Sequence, residues 1–344
     1  MKKQLLSFKP EGIYCEQADV YLDPWRKVNK ALITHAHSDH AKYGHKSYLS
    51  HQDSEAILRY RLGKDIALQN VEYGEITNIN GVDFSFHPAG HIIGSSQIRV
   101  AYQGEVWVFS GDYKLENDGF STPFEPVKCH TFITESTFGL PVYRWKPQQE
   151  IFNEINDWWQ TNASNGICSI IIAYSLGKAQ RILLNIDRAI GPIYTHGAVQ
   201  QTHDVLINAG FPLPFTQKAN PEIAKENYRN ALIIATPSAV DTPWMRKFEP
   251  YSLAVASGWM GLRGIRRRRS ADRGFILSDH ADWQSLNEAV TQSEAEHVYV
   301  THGYSHTFAR WLCEKGLDAQ ELKTEFDGDL SELNEINGSE EPII

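Results

Sequence analysis

The stretch LITHAHSDH, residues 32–40, places three histidines and an aspartate within six positions. His35 and His37 are two residues apart, and Asp39 and His40 follow at once. In a tight loop after a strand, alternate side chains can point to one side, so His35 and His37 could share one ion while Asp39 and His40 face another. Imidazole and carboxylate together suit Zn²⁺, Mn²⁺ or iron, and the absence of thiolate argues against a structural zinc. The pattern therefore predicts a metal site.

The elements that must position such residues are short strands. KALITH, DFSFHPAGH, VWVFSGDY and TFITEST each read as an apolar strand that ends in a polar residue able to do chemistry. Loops at strand ends are where sites are usually assembled. From about Lys146 the pattern changes, because QQEIFNEINDWWQTNAS has helical periodicity and later apolar runs alternate with helical stretches, as in a parallel α/β unit. FILSDHADW and HVYVTHGYSH then return to a strand followed by a histidine.

The interruption near residue 140 and the return near 275 predict one domain made from both ends of the chain, 1–140 and 275–335. A second domain, 141–274, would be inserted between them, and 344 residues suit two domains. The insert holds 16 basic and 10 acidic residues, against 17 and 32 in the rest. The overall net charge of -9 does not indicate nucleic-acid binding, but the opposite balance of the two regions suggests different tasks.

The four cysteines are far apart and form no CxxC pair, which predicts reduced cysteines, no disulfide framework and a cytoplasmic location. The N-terminal MKKQLLSFKPEG starts with basic residues but has no apolar stretch of signal-peptide length. No segment approaches the roughly 20 apolar residues of a membrane helix, so we expect no membrane association.

HxHxDH is the signature of the metallo-β-lactamase fold, and the sequence resembles that superfamily. The resemblance implies an α/β fold, the metallo-β-lactamase αββα sandwich, and further ligands in a fixed order: His91 in AGHIIGSS and Asp112 in SGD, the latter as a bridging carboxylate. Each of these two alone could be an ordinary turn residue. Asp23 in LDPW matches the superfamily's early aspartate, with the role of orienting a histidine; a turn aspartate before proline is the alternative.

Beyond the lactamase motifs, the chain resembles the β-CASP nucleases, which carry an α/β domain inserted into this fold. Their additional motifs match Glu135 in TESTFG, His280 in SDHAD and His302 in THGY. Within that group it is most similar to the bacterial DNA ligase-associated exonucleases, through LDPW, AGHIIGSSQIRV, YSLGKAQ and RRRRSADRGFILSDHADW. The resemblance covers roughly residues 10–325, nearly all of the chain.

The resemblance implies two divalent metal ions, zinc or manganese. The implied ligands are His35, His37 and His91 for the first ion, Asp39, His40 and His302 for the second, and Asp112 between them. His280 would be the general acid, kept cationic by Glu135, and Asp39 is counted with these catalytic residues as well. Glu135 could instead cap a helix, and the aspartates on either side of His280 would also favour its charged form.

Two stretches of the insert are expected to bind substrate phosphates. Ser175 and Lys178 lie where a strand enters a helix, and backbone amides with a lysine suit a phosphate there. An ordinary strand–helix turn is the alternative. Arg267 and Arg268 lie within four adjacent arginines just before a catalytic strand, which favours phosphate contact over a solvated loop.

The function expected from this resemblance is a DNA exonuclease of DNA repair that engages 5′ ends. Its partners would be single-stranded or end-containing DNA, with a functional link to an ATP-dependent DNA ligase and a helicase. An RNA-processing nuclease is the first alternative, because a histidine at the position of His302 is typical of the RNA branch. A small-molecule metallohydrolase would not need the long basic insert. A metal-free module that binds ends would have lost ligands, and here none is missing.

Overall fold

The structure is a computed structural model that describes residues 4–220, 222–262 and 271–323. Its strands are β1 (Ser7–Lys9), β2 (Gly12–Cys15), β3 (Val20–Leu22), β4 (Lys30–Ile33), β5 (Ser47–His51), β6 (Leu68–Val71), β7 (Thr77–Ile79), β8 (Val82–Pro88), β9 (Ser96–Tyr102), β10 (Glu105–Phe109), β11 (Thr131–Glu135), β12 (Cys168–Ile172), β13 (Ile193–Thr195), β14 (Gln217–Lys218), β15 (Leu232–Ala235), β16 (Tyr251–Ala256), β17 (Arg273–Phe275), β18 (His297–Thr301) and β19 (Asp318–Glu321). Its helices are α1 (Glu55–Leu62), α2 (Gln148–Ser164), α3 (Lys178–Asn185), α4 (Gly197–Asn208), α5 (Trp283–Ser293) and α6 (Ser305–Glu314).

These elements form two compact units. One contains the described residues up to Arg144 and from His280 onward, and the other is Trp145–Asp279. The predicted domain bounds differ from this division by a few residues, since they assign 141–144 to the insert and 275–279 to the flanking domain. The domain assignment itself stays a prediction.

The first unit contains two sheets. One has the order β1-β2-β3-β4-β5-β6, and the other has the order β19-β18-β11-β10-β9-β8-β7. Leu22, Leu32 and Leu49 of the first sheet share a buried core with Phe84 and Ile98 of the second. Such a core forms because each strand directs alternate side chains to one face.

Helices cover the second sheet on its other face. Leu286 and Val290 of α5 and Phe308 and Leu312 of α6 share a second buried core with that sheet. The helix α1 follows β5 of the first sheet and has its own buried apolar residues. The predicted αββα sandwich is confirmed.

Strand direction brings the polar residues of the first unit together. The strands β10, β11 and β18 are parallel neighbours, and β4 is parallel to β3 and β5 in the other sheet. Carboxyl ends of parallel strands meet at one edge of a sheet, where sites form. Glu135 at the end of β11 is paired in register with Thr301 at the end of β18. His302 therefore lies beside Glu135 although 166 residues separate them in sequence.

The second unit is a parallel α/β unit, as predicted. Its sheet has the order β14-β13-β15-β12-β16-β17, and all its strand pairs are parallel. The central strand β12, CSIII, is buried throughout, which is typical of a parallel sheet covered on both faces. Its core includes Trp159 of α2 and Ile182 of α3. Among the helices that the structure describes, none has both the length and the apolar character to cross a bilayer.

Candidate active site

Four side chains of the first unit direct ligand atoms at one point. His37 Nδ1 lies 3.2 Å from His35 Nε2 and 3.0 Å from His91 Nε2. Asp112 Oδ2 lies 3.5 Å from His35 Nε2 and 3.8 Å from His91 Nε2. Ligand atoms about 2.0–2.2 Å from one ion in a tetrahedral arrangement are themselves about 3.3–3.6 Å apart. The spacing and the donor types fit a single divalent ion.

A second group of ligand atoms adjoins the first and shares a carboxylate with it. Asp39, His40 and His302 have ligand atoms within 4.8 Å of one another. His40 Nε2 lies 3.3 Å from Asp112 Oδ2, the oxygen that faces the first group, and 3.6 Å from Asp39 Oδ2. Asp112 thus lies between the two groups, and its role as the bridging ligand that the resemblance implies stays a prediction.

An unsatisfied nitrogen supports the fit of the second group to a metal. His40 Nε2 is fully buried and, within the described residues, accepts or donates no hydrogen bond. A buried polar atom without a partner is costly, whereas a lone pair aimed at a cation is not. His40 Nδ1 lies 2.7 Å from Asp23 Oδ2, a contact of the kind that orients a metal-binding ring, and this role of Asp23 stays a prediction.

The surroundings of the buried ligand residues shift their pKa values in different directions. Burial lowers the pKa of His40, but the carboxylates of Asp112 and Asp39 more than offset this effect and leave the pKa well above its usual range. Burial raises the pKa of Asp112, yet His40 and then His280 hold it well below its usual range. Burial, and next the neighbouring His40, keep the pKa of His35 well below its usual range. A neutral histidine and ionised carboxylates are the forms that bind metals, so His35 and Asp112 are already in the binding form, whereas His40 would release a proton when a metal binds.

Glu135 and His280 form a buried pair next to these ligand groups. His280 Nδ1 lies 3.0 Å from each carboxylate oxygen of Glu135. Glu135 also accepts hydrogen bonds from the backbone N–H groups of Tyr113, at 2.9 Å, and Thr137, at 3.4 Å. Glu135, His280 and Asp112 have ligand-type atoms within 4.8 Å of one another. Because Glu135 holds Nδ1, the other ring nitrogen of His280 is the one that can transfer a proton.

Of the residues expected to bind phosphate, Lys178 is already paired within its own unit. Its ammonium lies 3.3 Å from Asp279 Oδ2 and 4.5 Å from the centre of the Tyr174 ring, and the residue is 1% exposed. Arg181 donates to the same carboxylate at 3.2 Å and to the carbonyl of Ser278 at 2.6 Å. These contacts tie Asp279 to α3, and the phosphate-binding role of Lys178 stays a prediction.

Ser175 and the arginines complete the predicted set. Ser175 is half-buried in the turn before α3, and its carbonyl accepts a hydrogen bond of 2.9 Å from Gln180. Its role in binding a phosphate also stays a prediction. Arg267 and Arg268 lie outside the described residues.

Sequence reasoning missed the groups that hold the ligands. Thr34 Oγ1 lies 3.0 Å from His35 Nδ1, and Thr301 Oγ1 lies 2.9 Å from His302 Nδ1. The Arg61 guanidinium donates to the carbonyl of Ala36, between His35 and His37. The repeated Thr-His dipeptide was the available signal for the threonines, whereas Arg61 lies on α1 and has no local sequence signal.

Comparison with known proteins finds relatives of this chain and a solved structure with a similar fold. The chain is 29% identical to a probable DNA ligase of Opitutus terrae, over 90% of this chain and 30% of that protein. It is 28% identical to an RNase J-like protein of Methanocaldococcus jannaschii, over 81% of this chain and 82% of that protein. A crystal structure of a protein of unknown function from Enterococcus faecalis V583 shares the fold, with a TM-score of 0.58 at 10% identity over 86% of this chain and 79% of that one. No family model matches the chain.

The sandwich and its paired ligand groups fit the metallo-β-lactamase superfamily that the sequence resembles. Within that superfamily these relatives support the resemblance to the β-CASP group that the sequence indicates. The chain spans only 30% of the length of the ligase-named relative.

Proposed function

We propose that this chain is a metal-dependent nuclease that hydrolyses phosphodiester bonds. The observation that carries the proposal is the Glu135–His280 pair beside two ligand groups that share Asp112. Two ions suit a phosphodiester because they stabilise both the attacking and the leaving oxygen, and the leaving alkoxide additionally needs a proton. The histidine–glutamate pair supplies such a proton source within reach of the shared carboxylate.

The residues present fit two divalent ions. His35, His37, His91 and Asp112 would hold one, and Asp39, His40, His302 and Asp112 the other. When bound, such ions lower the pKa of water towards neutrality and offset the charge of a phosphate group. Zinc or manganese would suit these nitrogen and oxygen donors.

His280 would donate its proton to the leaving 3′ oxygen while Glu135 keeps the imidazolium oriented through Nδ1. The bond from phosphorus to the 3′ oxygen breaks, and a bond from phosphorus to the oxygen of one water forms. The products would be a 5′-phosphate and a 3′-hydroxyl. The water loses one proton to solvent or to the histidine, which restores the acid.

Among nucleic acids we favour DNA, with removal of nucleotides from a 5′ end during repair. The relative named as a probable DNA ligase matches over 90% of this chain, which supports a DNA substrate and a functional link to a DNA ligase. The resemblance of the sequence extends this proposed link to an ATP-dependent ligase and a helicase. RNA processing is the second candidate. The relative named RNase J-like is matched over 82% of its own length, and the histidine at position 302 favours the same reading.

An end-labelled cleavage assay tests both the reaction and the substrate. Single- and double-stranded DNA and RNA, with or without a 5′-phosphate, are incubated with the protein and Mn²⁺ or Zn²⁺. We expect mononucleotide products from 5′-labelled DNA. The His280→Ala variant should keep its metal content and lose about 10²–10⁴-fold in turnover.

His306→Ala is the matched control, because His306 is an exposed histidine of α6 that contacts Glu321. It should cleave as the wild type does. Normal turnover by His280→Ala would remove His280 from the reaction. If the protein cleaves RNA but not DNA, the RNA proposal replaces the DNA proposal. If it cleaves no nucleic acid while both ions are bound, the proposal that it is a nuclease is overturned.

A further inference from the structure

Two of the ligand histidines, one in each group, follow a buried threonine. Thr34 and Thr301 are each 1% exposed and lie where β4 and β18 end. The hydroxyl of Thr34 lies 3.0 Å from Nδ1 of His35, and that of Thr301 lies 2.9 Å from Nδ1 of His302. The same dipeptide thus makes the same contact at two places that are far apart in sequence.

The second partner of each hydroxyl fixes the direction of the hydrogen bond. Thr34 Oγ1 lies 2.5 Å from Asp23 Oδ2, and an ionised carboxylate only accepts, so the threonine donates to Asp23. Thr301 Oγ1 donates to the carbonyl of Thr134 at 3.3 Å. A hydroxyl has one hydrogen, so in each case it accepts from the neighbouring Nδ1–H.

A proton fixed on Nδ1 leaves a lone pair on Nε2 of the neutral ring. His35 Nε2 is the atom that faces His37 and Asp112 in the first ligand group. His302 belongs to the second group, with Asp39 and His40. In both groups the threonine selects the ring form that can bind a cation.

We propose that Thr34 and Thr301 are positioning residues for the metal centre, with one threonine serving each ion. The inference rests on the proposed metal centre. Gly111 supports it, since its φ is +55° and a Cβ there would lie only 2.7 Å from Thr34 Oγ1. The backbone beside Asp112 therefore packs directly on the Thr34 side chain and leaves it little freedom to turn.

The Thr34 contact also reaches the second ion indirectly. Asp23 Oδ2 accepts from both Thr34 Oγ1 and His40 Nδ1, so one carboxylate oxygen is shared by residues that serve different ions. Loss of the Thr34 hydroxyl leaves the Asp23–His40 contact and the bond of 2.8 Å from the Thr34 backbone N–H to Asp23 in place. The effect of a Thr34 substitution should therefore fall mainly on the first ion.

The test measures metal affinity directly and does not depend on nuclease activity. Metal-free wild type, Thr34→Val and Thr301→Val are titrated with Zn²⁺ in competition with a chelating indicator. Outer partners of metal-bound histidines typically contribute 10–100-fold to affinity. We expect each valine variant to weaken one of the two sites by about that factor, the double variant to weaken both, and the Thr→Ser variants to bind as the wild type does.

Variants that lack one metal ligand show which of the two sites each threonine substitution weakens. His91→Ala removes a ligand of the first ion only, and in that background Thr301→Val should weaken the remaining site whereas Thr34→Val should not. In an Asp39→Ala background the pattern should reverse. Thr202→Val is the control for burial of a threonine, because among the described residues the Thr202 hydroxyl bonds only the carbonyl of Ala198 in α4.

Valine variants that bind both ions as tightly as the wild type would overturn the inference and leave the metal centre standing. Wild-type protein that binds no Zn²⁺ would overturn the metal centre and the inference with it. Thermal denaturation checks that the variants fold. If Thr34→Val does not fold, Thr34→Ala removes the hydroxyl without adding a methyl group, and it must show the same loss.

Discussion

Replacing Asp23 by asparagine should weaken metal binding, because Asp23 Oδ2 contacts residues that serve both proposed ions. Asp23 Oδ1 accepts from the Thr34 backbone N–H at 2.8 Å, and Oδ2 accepts from Thr34 Oγ1 and from His40 Nδ1. An asparagine has only one oxygen. If its oxygen faces the backbone N–H, its NH₂ group faces His40 Nδ1, which must then accept. The proton of His40 moves to Nε2, the atom that lies 3.3 Å from Asp112 and would bind the ion.

The opposite orientation of the amide is no better. Its NH₂ group would then face the Thr34 backbone N–H, and two buried donors would oppose each other. A buried donor without an acceptor costs about 1–3 kcal/mol. A loss of 10–100-fold in metal affinity corresponds to about 1.4–2.7 kcal/mol, so the two arguments give the same size of effect.

The assay combines stoichiometry with stability. After gel filtration in limiting Zn²⁺, Asp23→Asn should carry fewer ions per chain than the two expected for the wild type. The stabilisation of the fold by added Zn²⁺ should be smaller by about 1.4–2.7 kcal/mol, since it depends on the logarithm of the dissociation constant. Asp19→Asn is the matched control, because Asp19 also has a positive φ, is exposed and contacts only the Tyr14 hydroxyl among the described side chains.

Two tightly bound ions in Asp23→Asn, with stabilisation by Zn²⁺ equal to that of the wild type, would refute the assignment of His40 to the second ion through Asp23. Equal losses in Asp23→Asn and Asp19→Asn would refute it as well, since only Asp23 touches a ligand.

Three further changes give expected outcomes of their own. Gly303→Ala should lower both the Zn²⁺ affinity and the urea midpoint, because a Cβ there would lie 2.4 Å from the Cα of Thr137. Gly210→Ala is the control, since a Cβ there meets open space and should cost only about 1–2 kcal/mol of backbone strain. Lys178→Met should lower the free energy of unfolding by about 1.5–3 kcal/mol, since buried Asp279 loses one charged partner; an unchanged urea curve would contradict this. Burial lowers the pKa of His45 to about 4, so its contribution to stability is full above about pH 6.5 and declines as pH falls towards 4, where the unfolded state binds the proton first. His45→Gln should accordingly lose less stability than the wild type between pH 7 and 4.5 in urea denaturation.

The sequence allowed the strands and the polar residues at their ends to be predicted because both signals are local. The helix QQEIFNEINDWWQTNAS is α2, residue for residue. The four candidate ligands between His35 and His40 are recognisable from their spacing within one short loop. His91 and His302 were predicted from the resemblance to a known family. The structure adds that these residues lie close together at strand ends, which depends on parallel pairing between strands as distant in sequence as β11 and β18.

The remaining features depend on tertiary partners that no local pattern encodes. FILSDHADW reads as a strand running into His280, but the strand ends at Phe275, and the Ser278 carbonyl is taken by Arg181, 97 residues earlier. Lys178 was expected to face a phosphate, and its pairing with Asp279 could not be read from a strand–helix turn. The directions of the threonine hydroxyls follow from Asp23 and the Thr134 carbonyl, which only the fold brings within reach.

The pairing of β11 with β18 also sets an order of assembly during synthesis. His40 and His302 are 262 residues apart, and a ribosome that adds about 5–20 residues each second needs roughly 13–52 s to pass from one to the other. Until β18 has emerged and paired with β11, the second ligand group lacks His302, whereas all four residues of the first group have already been synthesised. A nascent chain would therefore carry six of the seven proposed metal ligands before the last one, His302, is added.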